Sequence, residues 1–137
     1  LVPAVWGLPN PWRKGLIINA RAETASRKPL FRGLLCSQRC LVPSSGFYEW
    51  THDEMRLRCH CRKPGEPLTW MAGIYDQSGS LPQFAILTTA ANFSVAPIHE
   101  RMPLVIAAAD GMGWLSDPME AAILLGREPA ALAVRMA

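Results

Sequence analysis

Thr69-Trp70-Met71-Ala72-Gly73-Ile74-Tyr75 and Phe84-Ala85-Ile86-Leu87-Thr88-Thr89 are the two most strand-like runs of the chain, joined by a loop containing Ser78-Gly79-Ser80. Their aromatic, β-branched and apolar content suits a pleated, packed surface, and turn-forming residues bound them. Working outward, Arg56 to Arg62 alternates weakly and fits a strand, closed by the turn Lys63-Pro64-Gly65-Glu66-Pro67. Cys40-Leu41-Val42-Pro43 and Gly46-Phe47-Tyr48-Glu49-Trp50 read as strand ends around a Pro-Ser-Ser-Gly turn. Met102 to Ala107 is a further strand, and Leu16-Ile17-Ile18-Asn19-Ala20 predicts a buried one. Helical signals are weaker. Glu23 to Arg32 begins a helix that Pro29 interrupts, Gly33 to Cys40 gives a second piece, Asp110 to Leu115 a third with Asp110 near its N-cap, and Glu120 to Leu125 a tail. Many short strands and few helices predict an α+β, mainly β domain. With 137 residues and neither repeat nor low-complexity linker, the chain reads as one domain.

Half the residues are hydrophobic and 18% charged, a globular rather than disordered composition. No apolar stretch is long enough to cross a membrane, and Leu1 to Trp12 has no basic start followed by an apolar run, so a cytoplasmic protein is expected, nucleoid-associated if bacterial. The net charge of +3 is unevenly placed: residues 1–70 hold eleven Lys/Arg against five Asp/Glu, and residues 71–137 three against six. A basic half meets phosphate favourably because each neutralised phosphate releases counterions; a solvated surface of uneven charge is the plainer alternative.

Cys36, Cys40, Cys59 and Cys61 are expected to be reduced thiols. Cys59-His60-Cys61 invites a zinc reading, but C-x-C and C-x3-C depart from the usual C-x2-C pairs. Strand alternation would put the two cysteines on one face and His60 on the other. Buried thiols, with no metal and no cofactor, are the expectation.

Four polar groups stand within or at the ends of apolar segments: Asn19 with Arg21, Glu49 beside Trp50, Thr88 with Thr89, and His99 with Arg101. A carboxylate flanked by Phe47, Tyr48 and Trp50 would be partly desolvated, which suits a general acid or base. Histidine is the natural proton shuttle near neutrality, arginine clamps phosphate through two parallel hydrogen bonds, and tryptophan offers a stacking face. Each also has an ordinary structural explanation: a surface ion pair for Glu49, a structural histidine, strand threonines, and Trp12 and Trp50 as core anchors. Phosphate-loop, dinucleotide, nucleophile-elbow and zinc-helix motifs are all missing.

In sequence order, Trp6-Gly7-Leu8 with Pro11-Trp12, Asn19-Ala20-Arg21-Ala22-Glu23-Thr24, Arg39-Cys40-Leu41-Val42-Pro43, Gly46-Phe47-Tyr48-Glu49-Trp50, Ala72-Gly73-Ile74-Tyr75, Thr88-Thr89-Ala90-Ala91-Asn92, His99-Glu100-Arg101-Met102-Pro103 and Trp114-Leu115 form one series. From about Trp6 to Leu115 it resembles the SOS-response-associated peptidase (SRAP) family. The resemblance implies a compact β-barrel-type domain with peripheral helices and a basic channel that takes single-stranded DNA carrying an abasic site, with no membrane and no obligate protein partner. It implies crosslinking, lyase and self-cleaving peptidase activity in a DNA-damage response. The aldehyde of the opened sugar forms a Schiff base with the α-amine of an N-terminal cysteine, whose thiol closes a thiazolidine. By motif, Asn19 would orient the cysteine or sugar, Glu49 would move protons, and His99 would help to open the ring and reverse the adduct. Arg21 and Arg101 would hold phosphates and Trp50 would stack at the lesion, with Thr89 and Trp12 as further DNA contacts.

The family's cysteine stands at the mature N-terminus in a Cys-Gly-Arg context, whereas this sequence opens at Leu1 inside the Trp-Gly-Leu region. An internal cysteine has no free α-amine, and the α-amine of Leu1 has no thiol to close the ring. The expectation is one SRAP-like domain over residues 1–137, lacking that N-terminal segment and the C-terminal strand region after Leu125, which binds DNA weakly and does not crosslink it. A non-catalytic single-strand binding module is therefore the alternative to a crosslinking enzyme. A thiol enzyme using Cys40 or Cys36 with His99 is a third class, disfavoured because Cys40 lies in an apolar run with nothing to lower its pKa.

Overall fold

The computed structural model describes residues 1–137 and is mainly β, as the patterning predicts. Its axis is the antiparallel pair Thr69–Asp76 and Gln83–Ala90. The centres of both strands are buried on both faces, which is why they read as continuous apolar runs rather than alternation. Around them lie Val5–Trp6 (β1), Leu8–Pro9 (β2), Leu16–Ile17 (β3), Asn19–Arg21 (β4), Arg39–Ser44 (β5), Phe47–Trp50 (β6) and Arg58–Arg62 (β7). The axial strands are β8 and β9. After them come Arg101–Pro103 (β10), Val105–Ile106 (β11) and Ala133–Met136 (β12). β1, β4, β5, β8, β9, β10 and β11 make a seven-stranded sheet, β12-β7-β6 a three-stranded one, and β2-β3 a pair. The sheets remain open, so the expected barrel-type strands do not close into a barrel.

The large sheet branches. β8 and β9 stay paired from Asp76↔Gln83 to Gly73↔Ile86 and then separate. The run Arg101 to Ile106 enters the gap, its first half pairing β9 as β10 and its second half pairing β8 as β11. Leu104 joins the two: its N–H donates to the Leu87 carbonyl at 2.8 Å and its carbonyl accepts from the Ala72 N–H at 2.9 Å. Both backbone groups of Leu104 are thus satisfied where the ladder divides.

Two cores flank this junction. One packs Leu8, Ile74, Leu87, Leu104 and Ile106 against Trp114 and Leu124. Trp114 is fully buried, its Nε1–H donating to the Cys40 carbonyl at 2.9 Å. The other packs Cys59 and Cys61 of the small sheet against Val95, Ile98, Met102, Val105 and Leu132. His60 points to the opposite face, as alternation predicts, with its ring edge against Tyr48.

Several local expectations are corrected. The run Leu16 to Ala20 is not a buried strand: it divides into β3 and β4, with Leu16 and Ile18 about half exposed and Ala20 buried. Pro29 opens a helix, Pro29–Ser37 (α2), where its missing N–H costs nothing, behind the single turn Ala22–Ala25 (α1). Cys40 belongs to β5 rather than to a helix. Asp110 precedes Gly111–Ser116 (α3) without a capping bond; Asp117 instead caps Pro118–Gly126 (α4), accepting from the Met119 and Glu120 N–H groups. Beyond Leu125, a stretch the sequence leaves without an assigned element, β12 pairs with β7. Trp12 and Trp50 are 74% and 47% exposed, which removes the core-anchor reading for both. No helix is long and apolar enough to cross a membrane.

Gly46 explains the start of the Gly-Phe-Tyr-Glu-Trp motif. Its φ is +134°, and a Cβ there would collide with the Cys61 carbonyl oxygen and lie 2.6 Å from His60 Nε2. Gly46→Ala should destabilise the chain by about 1–3 kcal/mol, read as a lower urea midpoint at unchanged slope.

Candidate functional site

The site gathers at the end of β9, around Thr88. β4 runs parallel to β9 and sets Arg21 in register with Thr88, while β10 runs antiparallel and sets Arg101 opposite Ala90. The Arg101 guanidinium donates to the Thr88 carbonyl at 3.0 Å and to its Oγ1 at 3.1 Å. It also forms a two-pronged pair with Glu23, through Nη1 with Oε2 and through Nη2 with Oε1 at 3.0 Å. That hydrogen-bonded guanidinium holds the Glu23 carboxyl below the usual carboxylate range. Arg101 is only 17% exposed and its Nε is buried without a partner, so it is half of an internal ion pair. Arg21 is exposed and makes no ion pair, so it is the guanidinium at this corner free to meet an anion.

His99 ends a turn pinned by buried Asn92. The Asn92 amide donates to the Pro129 and Ala130 carbonyls at 2.9 and 3.1 Å, and its Oδ1 accepts from the Ser94 N–H at 3.0 Å. His99 Nδ1 lies 3.0 Å from the Arg101 N–H and 3.1 Å from the Arg101 carbonyl. A neutral ring accepts from the first and carries its proton on Nε2; a protonated ring donates to the second. Both charge states therefore find a partner, which is what a proton shuttle needs. Nε2 faces Glu49 Oε2 at 4.0 Å, with both side chains a little over a quarter exposed. A substrate oxygen or nitrogen beside the pair reaches both groups at hydrogen-bonding distance. The His52 ring lies 5.0 Å from that of His99.

The remaining candidates are placed unevenly. Asn19 is exposed, on the same face of β4 as Arg21. Glu49 and Trp50 point to opposite faces of β6, so the flanking aromatic residues Tyr48 and Trp50 do not desolvate the carboxylate as the sequence suggested. Alternation turns Thr89 away from the side that Thr88 shares with Arg101, and Thr88 makes the contact. Trp12 lies in the exposed β2–β3 loop, where its backbone N–H donates to Asn10 Oδ1. Glu23, His52 and Asn92 are not singled out as site residues by the sequence, although the quoted motifs contain Glu23 and Asn92; Thr88 is named there with Thr89, but Thr89 is given as the DNA contact. A groove of about 1020 Å³ along β5 is mainly apolar and includes none of the candidate DNA-site residues, although Cys40 lines it. No group of three or more His, Cys, Asp or Glu side chains is placed to hold a metal ion.

This mainly β fold, with a carboxylate–imidazole pair beside a guanidinium corner, has close relatives. The model of the SOS response associated peptidase (SRAP) family matches residues 1–134, and the chain belongs to that family. It is 36% identical over 123 residues to the abasic site processing protein YoaM of Bacillus subtilis, covering 81% of this chain and 54% of the relative. It is 32% identical over 122 residues to the abasic site processing protein YedK of Escherichia coli, covering 84% and 54%. The chain thus spans about half the length of these curated relatives. A crystal structure of a protein from Bacteroides thetaiotaomicron superposes with a TM-score of 0.80 at 30% identity, covering 96% of this chain and 66% of that one.

Because the folded pKa of Glu23 is depressed, its pairing stabilises the fold above the ordinary carboxylate range and is lost as pH falls through the lower folded value. Glu23→Gln should cost about 1 kcal/mol at pH 7, the Glu23 side chain being nearly half exposed, and the gap to wild type should close in acid denaturation series. Burial pushes the Cys40 thiol up to about 12 and, with Cys59 and Glu49 adding repulsion, Cys61 up to about 11. A thiol reagent at pH 7 should label exposed Cys36 first and the other three only on unfolding.

Proposed function

We propose that this chain binds single-stranded DNA at an abasic site and that Glu49 and His99 carry the proton transfers of aldehyde condensation there. The observation that supports this most is their approach at 4.0 Å beside the exposed Arg21 corner. The printed names of the relatives, abasic site processing proteins, supply the substrate class. An opened abasic sugar presents an aldehyde. An amine that attacks it must lose a proton, and the carbinolamine oxygen must gain one to leave as water, so the step needs an acceptor and a donor. Glu49 takes the first role and His99 the second, with Arg101 O ready to accept from the charged ring. Arg21 meets a phosphate next to the lesion, Asn19 orients the opened sugar, and Trp50 stacks on a base. Arg101 acts chiefly by holding Thr88 and Glu23.

The amine and thiol of a thiazolidine belong to one N-terminal cysteine, and none of Cys36, Cys40, Cys59 or Cys61 has a free α-amine. Burial disfavours the Cys40 and Cys61 thiolates as well. These thiols favour the second reading for the chain by itself, a module that binds the lesion without covalent capture.

Fluorescence anisotropy with labelled oligonucleotides tests the binding. An abasic single strand should bind more tightly than the intact strand or the same lesion in duplex. Arg21→Ala should weaken it about tenfold and reduce the logarithmic salt slope by about 0.7. Equal affinity for all three substrates, or none, would sink the reading. In a polypeptide beginning with the family's Cys-Gly-Arg segment, a denaturing gel should show an adduct whose formation Glu49→Gln slows about 10²-fold.

A further inference from the structure

The three-stranded sheet turns Phe47, Glu49, Cys59, Cys61 and Val134 inward, onto the second core and the Glu49–His99 site. On its other face exposed aromatic and basic side chains surround the buried His60. In register, Trp50 stands across from Arg58, and Tyr48 stands across from His60, which stands across from Arg135; Arg62 follows on β7. We propose that this outward face is a second strand-binding surface, taking the stretch of single-stranded DNA that leaves the lesion site. The inference rests on the lesion-binding reading above and extends it to a face of which that reading uses only Trp50.

Four observations carry it. First, the charge is uncompensated: Arg58, Arg62 and Arg135 are exposed and make no ion pair, and the one carboxylate on the three strands, Glu49, faces inward. Second, Tyr48 and Trp50 are 51% and 47% exposed, and successive same-face positions on a strand are roughly 7 Å apart, so Trp50 offers a base a stacking face and the exposed part of Tyr48 a second, separate contact. Third, the Arg58 guanidinium lies 4.7 Å over the Tyr48 ring, which fixes the arginine in place and leaves its N–H edge free for a phosphate. Fourth, the face is continuous with the site. Trp50 leads through Thr51 to His52, whose ring lies against His99. Exposed rings interleaved with unpaired arginines on a sheet are the means by which open β surfaces hold unpaired strands. An acidic protein surface would use the arginines but would not need the spaced rings.

The test uses the double variant Arg58→Gln, Arg135→Gln, both at exposed positions, and separately Tyr48→Leu, with circular dichroism to check folding. Anisotropy is read on a five-nucleotide and a twenty-nucleotide single strand, each with one abasic site. Wild type should bind the longer strand more tightly. The double variant should lose about tenfold on the long strand, with a salt slope smaller by about 1.4, and keep its affinity for the short one. Tyr48→Leu should lose about fivefold or more on the long strand with its slope unchanged. An unaltered long-strand affinity in the double variant overturns the proposal, as does an equal loss on both lengths, which would put the arginines at the lesion itself. Competition by polyglutamate that Tyr48→Leu leaves untouched would replace the strand by an acidic protein. If wild type holds the short strand and gains nothing from length, this inference alone fails; if it holds neither, the lesion-binding reading fails with it.

Discussion

The pair of backbone hydrogen bonds at Leu104 is the constraint on which the rest of the molecule depends. A ladder that divides exposes polar groups on both strands at once, and burial there would be costly unless something satisfied both. Leu104 does so from a single residue, giving its N–H to one strand and its carbonyl to the other. Because one short run serves two partners, its position along the chain is locked at both ends. Arg101 and His99 lie three and five residues upstream, so their reach toward Glu23 and Glu49 is set by that lock. Met102 and Val105, from the same run, fill the core under the small sheet and fix the height at which Glu49 is presented.

Charge at the site is organised in two tiers. Arg101 is shielded, and most of what its guanidinium can donate is consumed by Glu23 and Thr88. It ties the short α1 turn to the end of β9. Its backbone, at the same time, holds the imidazole of His99 in either protonation state. Arg21 stands free. The guanidinium left free, Arg21, is thus not the one that holds the frame together. Preorganisation of this kind saves a site from rearranging during the reaction.

The sequence revealed the strands that are buried on both faces and the motif glycine, because apolar continuity and turn chemistry leave direct marks. It also led to Glu49, His99 and the threonines as a class. It misplaced features that depend on contacts between distant segments. Leu16 to Ala20 looks buried from composition, yet Leu16, Ile18 and Asn19 are exposed and only Ala20 is fully buried, because β4 joins the sheet at its margin. Thr89 and Thr88 are indistinguishable until the partner strand gives the register. Trp50 seems to share its surroundings with Glu49 until alternation separates them. Arg101 resembles a phosphate clamp in one dimension; only the fold reveals its pairing with Glu23, 78 positions away in the chain. Pro29 breaks a helix or begins one depending on where the preceding turn ends.

The ties that build the site span most of the chain: Glu23 to Arg101, Arg39 to the Trp114 carbonyl 75 residues on, and β6–β7 to β12. Contacts so distant form slowly, since the entropy of closing each large loop is lost before the contact can compensate. β8 and β9 are neighbours in sequence and can pair early. The junction at Leu104 must wait for residues 101–106, and the small sheet for β12. Until residues 101–106 are in place the large sheet is only half made. The Glu49–His99 pair, supported from both sides of that late junction, would be among the last features to become rigid.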